Sequence, residues 1–150
     1  MEQLTEIGKG KLPAELLEVY QTIMPNKNIE ISDFVMYSVQ RIKEENFDAV
    51  PGANIYPYGL FVFMSTLDGD AICIDLNDEN GAIYQCSHSL LSNEERISFY
   101  KRNMVSLDFT YENIIRCSVK LADSYRDFTE KLMNKKVYAY NVVRTVIDNY

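Results

Sequence analysis

Residues 59–88 carry a change of hydrophobic period that constrains the fold more than any other feature of the chain. The stretch GLFVFMST is rich in β-forming side chains, and AICIDL and AIYQCS repeat the pattern after the turn-rich separators LDGD and NDENG. This spacing predicts an antiparallel meander of three strands at about residues 59–66, 71–76 and 82–88. The first strand is apolar on both faces, which indicates a central strand covered by helices.

Helical patterns flank this meander. Pro13 suits the first turn of a helix whose apolar residues recur at threes and fours until Pro25 ends it. A short extended piece and a second helix follow, for which Ser38 is a candidate N-cap. Helical spacing returns from residue 93 to residue 134 and predicts a long C-terminal helix at about 112–134.

The last stretch, NVVRTVIDNY, has apolar residues up to Tyr150 at one-four spacing, which favours a terminal helix; a strand at KVYAYNVV is the alternative. Repeats, low-complexity tracts and linkers are missing from the sequence. The combined pattern predicts a single domain of α+β type over residues 1–150, with an antiparallel or mixed sheet and helices packed on it.

Four carboxylates surround the second predicted strand: Asp68, Asp70, Asp75 and Asp78. A calcium loop beginning at Asp75 would need glycine at its sixth position and glutamate at its twelfth, where this chain has Asn80 and Cys86. A metal pair at Asp68 and Asp70 would need further ligands near by. Hairpin turns explain all four residues, because Asp, Asn and Gly favour turns. We therefore predict turns here and expect no metal site.

The formal net charge indicates what kind of partner the chain can bind. The chain has 150 residues and a formal net charge of −7. An acidic surface repels nucleic-acid phosphates and speeds encounter with a basic protein, so we expect no nucleic-acid partner. No apolar run is long enough to span a membrane, and the N-terminal residues lack a signal-peptide pattern. The three cysteines include no CxxC pair, which is typical of buried free thiols in a reducing cytoplasm.

Catalytic motifs are missing as well. Phosphate-binding glycine loops, GxSxG and HExxH do not occur in the sequence. His88 is the only histidine and shares a predicted strand face with Cys86, but neighbouring lysine or arginine that would activate a thiolate is missing. We expect no catalytic residue and no cofactor. Tyr56 and Tyr58, beside Pro57, are better candidates for a contact surface, because tyrosine is enriched at binding hot spots; partly buried loop tyrosines are the alternative.

Four segments, taken in order, resemble the SUKH superfamily, which includes yeast cell-wall synthesis regulators of the Smi/Knr type and many bacterial immunity proteins. KLPAELLEVY is similar to its Leu-Pro-led helix and SVQRIKEEN to the next short helix. GLFVFMSTLDGDAICIDLND is similar to its central hairpin and ADSYRDFTEKLM to its closing helix. The resemblance covers about residues 12–133, with 92–111 as an insertion and 135–150 as an extension. Only eleven residues precede Leu12, so the family's usual preceding helix is nearly missing.

The resemblance implies an α+β domain that works by binding proteins. Bacterial members are commonly immunity proteins that seal a toxin's active site, and several such toxins are nucleases. A basic toxin domain is therefore the expected partner. The candidate contact residues are Tyr56, Tyr58, Asp68, Asp70, Asp78 and Glu79. Two alternatives stay open: a regulatory scaffold of the cell-wall-regulator kind, and a small enzyme using Cys86 and His88.

Overall fold

A six-stranded antiparallel sheet organises the protein. The structure is a computed structural model and describes residues 1–100 and 104–148. The strand order in the sheet is β1-β2-β3-β4-β5-β8. Its strands are β1 (Ile29–Ile31), β2 (Phe34–Met36), β3 (Leu60–Thr66), β4 (Ala71–Asp75), β5 (Ile83–Cys86) and β8 (Ser118–Ala122). A separate hairpin pairs β6 (Ile97–Tyr100) with β7 (Met104–Leu107).

Helices accompany the sheet along the chain. They are α1 (Glu2–Ile7), α2 (Ala14–Ile23), α3 (Val39–Phe47), α4 (Gly52–Ile55), α5 (His88–Leu91), α6 (Tyr111–Arg116), α7 (Tyr125–Met133) and α8 (Val142–Asp148). A 3-10 turn, Tyr56–Tyr58, joins α4 to β3. The predicted α+β class is confirmed.

The meander is also confirmed. Strands β3, β4 and β5 are consecutive antiparallel neighbours and lie within the predicted ranges. All seven residues of β3 are buried, as expected for a central strand apolar on both faces. The prediction that Ser38 caps α3 is also confirmed, because Ser38 Oγ accepts a hydrogen bond from the backbone N–H of Arg41 at 3.2 Å.

The predicted long helix at 112–134 is wrong. The segment divides into α6, β8 and α7, because β8 pairs with the free edge of β5 and satisfies its backbone groups. Apolar residues in SVKLA fit a two-residue period as well as a helical one, and the helical pattern hid the strand. Ser124 begins a new helix by accepting a hydrogen bond from Asp127 N at 3.0 Å.

Three further segments refine the predicted fold. The stretch from residue 93, predicted to be helical, forms the β6–β7 hairpin before α6. A six-residue helix, α1, precedes the Leu12–Pro13 pair, where almost no helix was expected. Helix α8 confirms the predicted terminal helix over its described part, since Tyr150 lies outside the described residues.

A β-bulge interrupts β3. Val62 pairs with Cys73 and Met64 with Ile72, so Phe63 is an extra residue on β3. Strand β2 reaches only to Met36, opposite Met64, so Val62 lies beyond the end of β2.

Asn46 of α3 takes the place of a strand neighbour at this point. Its Nδ2 donates to Val62 O at 2.8 Å, and its Oδ1 accepts from Val62 N at 2.9 Å. Nδ2 also donates to Ile42 O at 2.8 Å, and the residue is 1% exposed. One amide therefore satisfies both backbone groups of Val62 and ties α3 to the central strand.

We expect Asn46→Ala to lower the free energy of unfolding by about 2–4 kcal/mol, because it leaves buried backbone groups of Val62 unpaired. Urea denaturation followed by circular dichroism measures the loss. Gln40→Ala on the same helix removes only an exposed hydrogen bond to Glu44 (3.2 Å) and should change stability by less than about 0.5 kcal/mol. Equal effects of the two substitutions would contradict the proposed role of Asn46.

Candidate functional site

An acidic groove lies at the end of the sheet where β4 turns into β5. Its volume is about 720 Å³, and the β4–β5 loop faces the first turns of α2 and α7 across it. Its charged lining residues are Lys11, Glu15, Asp75, Asp78, Glu79 and Arg126. We call this the acidic groove.

The loop is held in place by Asp75, the last residue of β4. The residue is 1% exposed. Its Oδ1 accepts hydrogen bonds from Asn77 N at 2.9 Å and Asn77 Nδ2 at 3.2 Å, and Tyr111 Oη donates to its Oδ2. Burial, reinforced by this bond to Asp75, raises the pKa of Tyr111, so its hydroxyl stays protonated and continues to donate. The buried carboxylate of Asp75 thus anchors the β4–β5 loop.

Two further contacts fix the shape of the loop. Asn77 Nδ2 donates to Tyr58 O at 2.8 Å, which ties the loop to the turn before β3. Asp78 Oδ2 accepts from Ala82 N at 2.9 Å across the turn. Gly81 adopts φ +65°, a conformation that a residue with a Cβ adopts only with strain. The loop therefore has a defined geometry that presents Glu79 to solvent.

Carboxylates outnumber cations in the acidic groove by four to two. Arg126 Nη2 lies 2.6 Å from Glu15 Oε1, so the positive charge of Arg126 is already compensated. A hydrogen bond to its own backbone N–H, together with the Arg126 guanidinium, lowers the pKa of Glu15. Asp78 and Glu79 are left to face the groove with only Lys11 as a further cation. This arrangement attracts positively charged groups.

The predicted contact residues do not form one surface. Tyr58, Asp78 and Glu79 lie at the end of the sheet that carries the acidic groove. Asp68 and Asp70 lie at the opposite end of β4, a strand of five residues that spans roughly 17 Å.

Tyr56 lies on a third surface, beside α1. Its hydroxyl donates to Ile7 O at 2.7 Å, and its ring packs edge-on against Phe47 with the ring centroids 5.0 Å apart. The ring of Tyr58 stacks on the ring of Phe109, with the ring centroids 6.3 Å apart. Both tyrosines are half-buried, and their rings already have packing partners.

Asp70 does more than close a turn. Its Oδ1 lies 2.7 Å from His88 Nδ1 and also accepts from His88 N at 3.1 Å, while its Oδ2 accepts from Gln85 Nε2 at 3.0 Å. Gln85 bonds in turn to the backbone N–H and C=O of Tyr140, both at 2.8 Å. Asp70 thus helps to fasten the segment before α8 to the sheet.

His88 and Cys86 have different partners. His88 is the first residue of α5 rather than part of the predicted strand, since Ser87 caps a helix there. Cys86 is fully buried, and its Sγ accepts a hydrogen bond from Ser118 Oγ at 3.3 Å. The three cysteines are free and buried, as predicted. Within residues 1–100 and 104–148, no group of three or more His, Cys, Asp or Glu side chains is arranged to hold a metal ion.

The opposite wall of the acidic groove was not predicted from the sequence. Glu15 and Arg126 are 111 positions apart, and only the packing of α2 beside α7 brings them to the β4–β5 loop. No local pattern in the sequence signals that encounter.

The fold is an α+β domain with an acidic groove at one end of its sheet. The chain matches the model of the SMI1 / KNR4 family (SUKH-1) over residues 4–110, and it belongs to this family. The match begins in α1 and ends just before α6. Comparisons with curated proteins and with solved structures gave no match. In the described part of the chain, no helix is both long enough and apolar enough to cross a membrane.

The wall of the acidic groove predicts a measurable pH dependence through Tyr125. Burial, with a smaller contribution from the charge of Glu15, raises the pKa of Tyr125 to about 12. An unfolded tyrosine ionises near pH 10. The contribution of the Tyr125 hydroxyl to the free energy of unfolding is therefore complete below about pH 10. It is lost as the pH rises towards 12, by about 1.4 kcal/mol per pH unit.

We expect Tyr125→Phe to lose less stability than the wild type between about pH 10 and 12, since the phenyl ring cannot ionise. Urea denaturation at a series of pH values measures the difference. Tyr138→Phe is the matched control, because the Tyr138 side chain is exposed and is solvated in both folded and unfolded chains. Parallel pH profiles for the wild type and Tyr125→Phe would show that the buried hydroxyl does not have this effect.

Proposed function

We propose that the chain is a non-catalytic protein-binding module: an immunity-type protein that binds a basic toxin domain through the acidic groove and blocks it. The observation that carries this proposal is the β4–β5 loop, in which buried Asp75 fixes the backbone that presents Asp78 and Glu79. A preformed loop loses little conformational entropy on binding. The SUKH family includes immunity proteins, which supports this assignment.

Charge supports the choice of a basic partner. The net charge of −7 attracts a basic domain over a distance, and the carboxylates in the groove give it a specific place to dock. A toxin domain that cleaves nucleic acid presents basic side chains for its phosphate contacts. An acidic protein seated on those side chains would exclude the substrate.

The same family also includes cell-wall regulators, and this favours a second candidate function. In that case the same groove would hold a basic subunit of a regulatory assembly, and binding would not neutralise any toxic activity. The two candidates share a surface and differ in the nature of the partner.

We further propose that the chain acts in the cytoplasm. Cys73, Cys86 and Cys117 are free, and all three are buried. Such cysteine usage is typical of a reducing compartment.

The test begins by capturing partners from a lysate of the source cells on the purified chain, at about 50 mM and about 500 mM salt. The captured protein is then expressed alone and together with the chain. Growth arrest by the partner alone, relieved by co-expression, supports the immunity role. A harmless partner would favour the regulatory assembly, and a partner retained equally at both salt concentrations would contradict electrostatic docking.

We expect Glu79→Lys to weaken binding of the captured partner at least about tenfold, because it places a cation in the acidic groove. Asp68→Lys makes the same change in charge on an exposed residue at the opposite end of β4 and should stay within about twofold of the wild type. Surface plasmon resonance measures both affinities. Equal weakening by the two variants would place the contact elsewhere, or attribute it to net charge alone.

A further inference from the structure

A second groove, lined by apolar side chains, lies between α2 and α7. Its volume is about 400 Å³. Its main apolar lining residues are Val19, Ile23, Phe63, Met64, Leu132 and Met133. Ile23 is 52% exposed and Met133 is 84% exposed, so the far end of the groove presents large apolar groups to solvent. We call this the apolar groove.

The floor of the apolar groove is a product of the bulge in β3. Adjacent strand residues normally point to opposite faces of a sheet. The extra residue in the bulge changes the direction of its side chain, so that Phe63 and Met64 both line the groove. Met36 of β2 completes the floor. Methionine side chains adapt their shape to a bound apolar group.

The two grooves adjoin each other. Glu15 and Tyr125 line both of them. The Glu15–Arg126 ion pair brings the first turns of α2 and α7 together, while Ile23 and Met133 lie at the opposite ends of the same helices. Glu15, which lines both grooves, and Ile23 are therefore about 12 Å apart along α2, at 1.5 Å per helical residue. This length corresponds to about two helical turns.

We propose that a short amphipathic helix of the basic partner lies in the apolar groove and places lysine or arginine side chains from its flank in the acidic groove. This inference rests on the proposed function and specifies the partner segment that the site recognises. Apolar side chains at i, i+4 and i+7 would contact the exposed apolar groups of the groove, Ile23 and Met133 among them, over two turns. Their burial would slow dissociation, while the charges speed association and fix the orientation.

Charge complementarity distinguishes this occupant from a second copy of the chain. Helices α2 and α7 carry four carboxylates and two cations: Glu15, Glu18, Asp127 and Glu130 against Arg126 and Lys131. Both cations are engaged in ion pairs, Arg126 with Glu15 and Lys131 with Asp127. Of these residues Glu15 lines both grooves and Arg126 lines the acidic groove. A second copy of this acidic chain would add like charge to the two helices, whereas a basic helix neutralises it.

The first experiment is site-specific photo-crosslinking of the full chain in the source cells. A photoreactive phenylalanine replaces Ile23 in one variant, Glu79 in a second and Asp68 in a third. We expect the first two to crosslink the same protein and the third to give no such product. Mass spectrometry should place the Ile23 crosslink in a segment with apolar residues at helical spacing and with flanking lysine or arginine.

The second experiment measures affinity for that captured protein. Ile23→Glu should weaken binding at least about tenfold, because it buries a carboxylate against apolar groups of the partner. Gln21→Glu adds the same charge on the opposite side of α2 and should stay within about twofold. Circular dichroism melts of both variants test whether they fold like the wild type. The loss of affinity caused by Ile23→Glu should persist at high salt, whereas the loss caused by Glu79→Lys should not.

The outcomes separate this inference from the proposed function. A crosslink from position 79 but none from 23, with Ile23→Glu binding like the wild type, overturns the apolar docking and leaves the acidic groove as the whole interface. A product at position 23 containing a second copy of the chain, or a partner segment without basic residues, also overturns the inference. Failure of both positions to crosslink counts against the proposed function itself.

Discussion

The hydrogen bonding of Val62 is the constraint on which the rest of the structure depends. Strand β3 is buried on both faces, yet β2 is too short to pair with it beyond Met64. Asn46 supplies the missing donor and acceptor, so the central strand can be buried without unpaired backbone groups. The bulge at Phe63 directly follows Val62 in β3. The bulge in turn gives the sheet a face on which two adjacent side chains form the floor of a groove.

Asp75 has the corresponding role at the end of the sheet. A carboxylate so deeply buried costs stability unless each oxygen has donors, and here Asn77 and Tyr111 provide them. Its position couples the β4–β5 loop to α6, an element distant in the sequence, so the shape of the acidic groove depends on how the last third of the chain packs. A polar residue that looks like part of a turn in the sequence is therefore a structural centre for the proposed interface.

Local signals in the sequence predict the elements that local physics determines. Alternation and turn residues locate β3, β4 and β5, Pro13 and Pro25 bracket α2, and Ser38 caps α3. They fail where a distant partner decides the outcome. Strand β8 exists because β5 has an open edge, and the Asp70–His88 contact exists because α5 starts beside the β3–β4 turn. The residues of the acidic groove differ in the same way: Asp78 and Glu79 belong to one turn, whereas Glu15 and Arg126 reach it only through tertiary packing.

In the proposed binding mode, the two grooves would have different roles in recognition. An acidic surface by itself attracts any basic protein, and its selectivity falls as salt screens it. An apolar groove by itself binds segments of many different sequences with little selectivity. In the proposed binding mode, the two grooves, which share Glu15 and Tyr125 as lining residues, would select a partner that presents apolar and basic side chains at one fixed separation. Such selection would suit the proposed function, in which the chain binds one basic partner, a toxin or a subunit of a regulatory assembly. It would make the spacing between the grooves the feature that sets specificity.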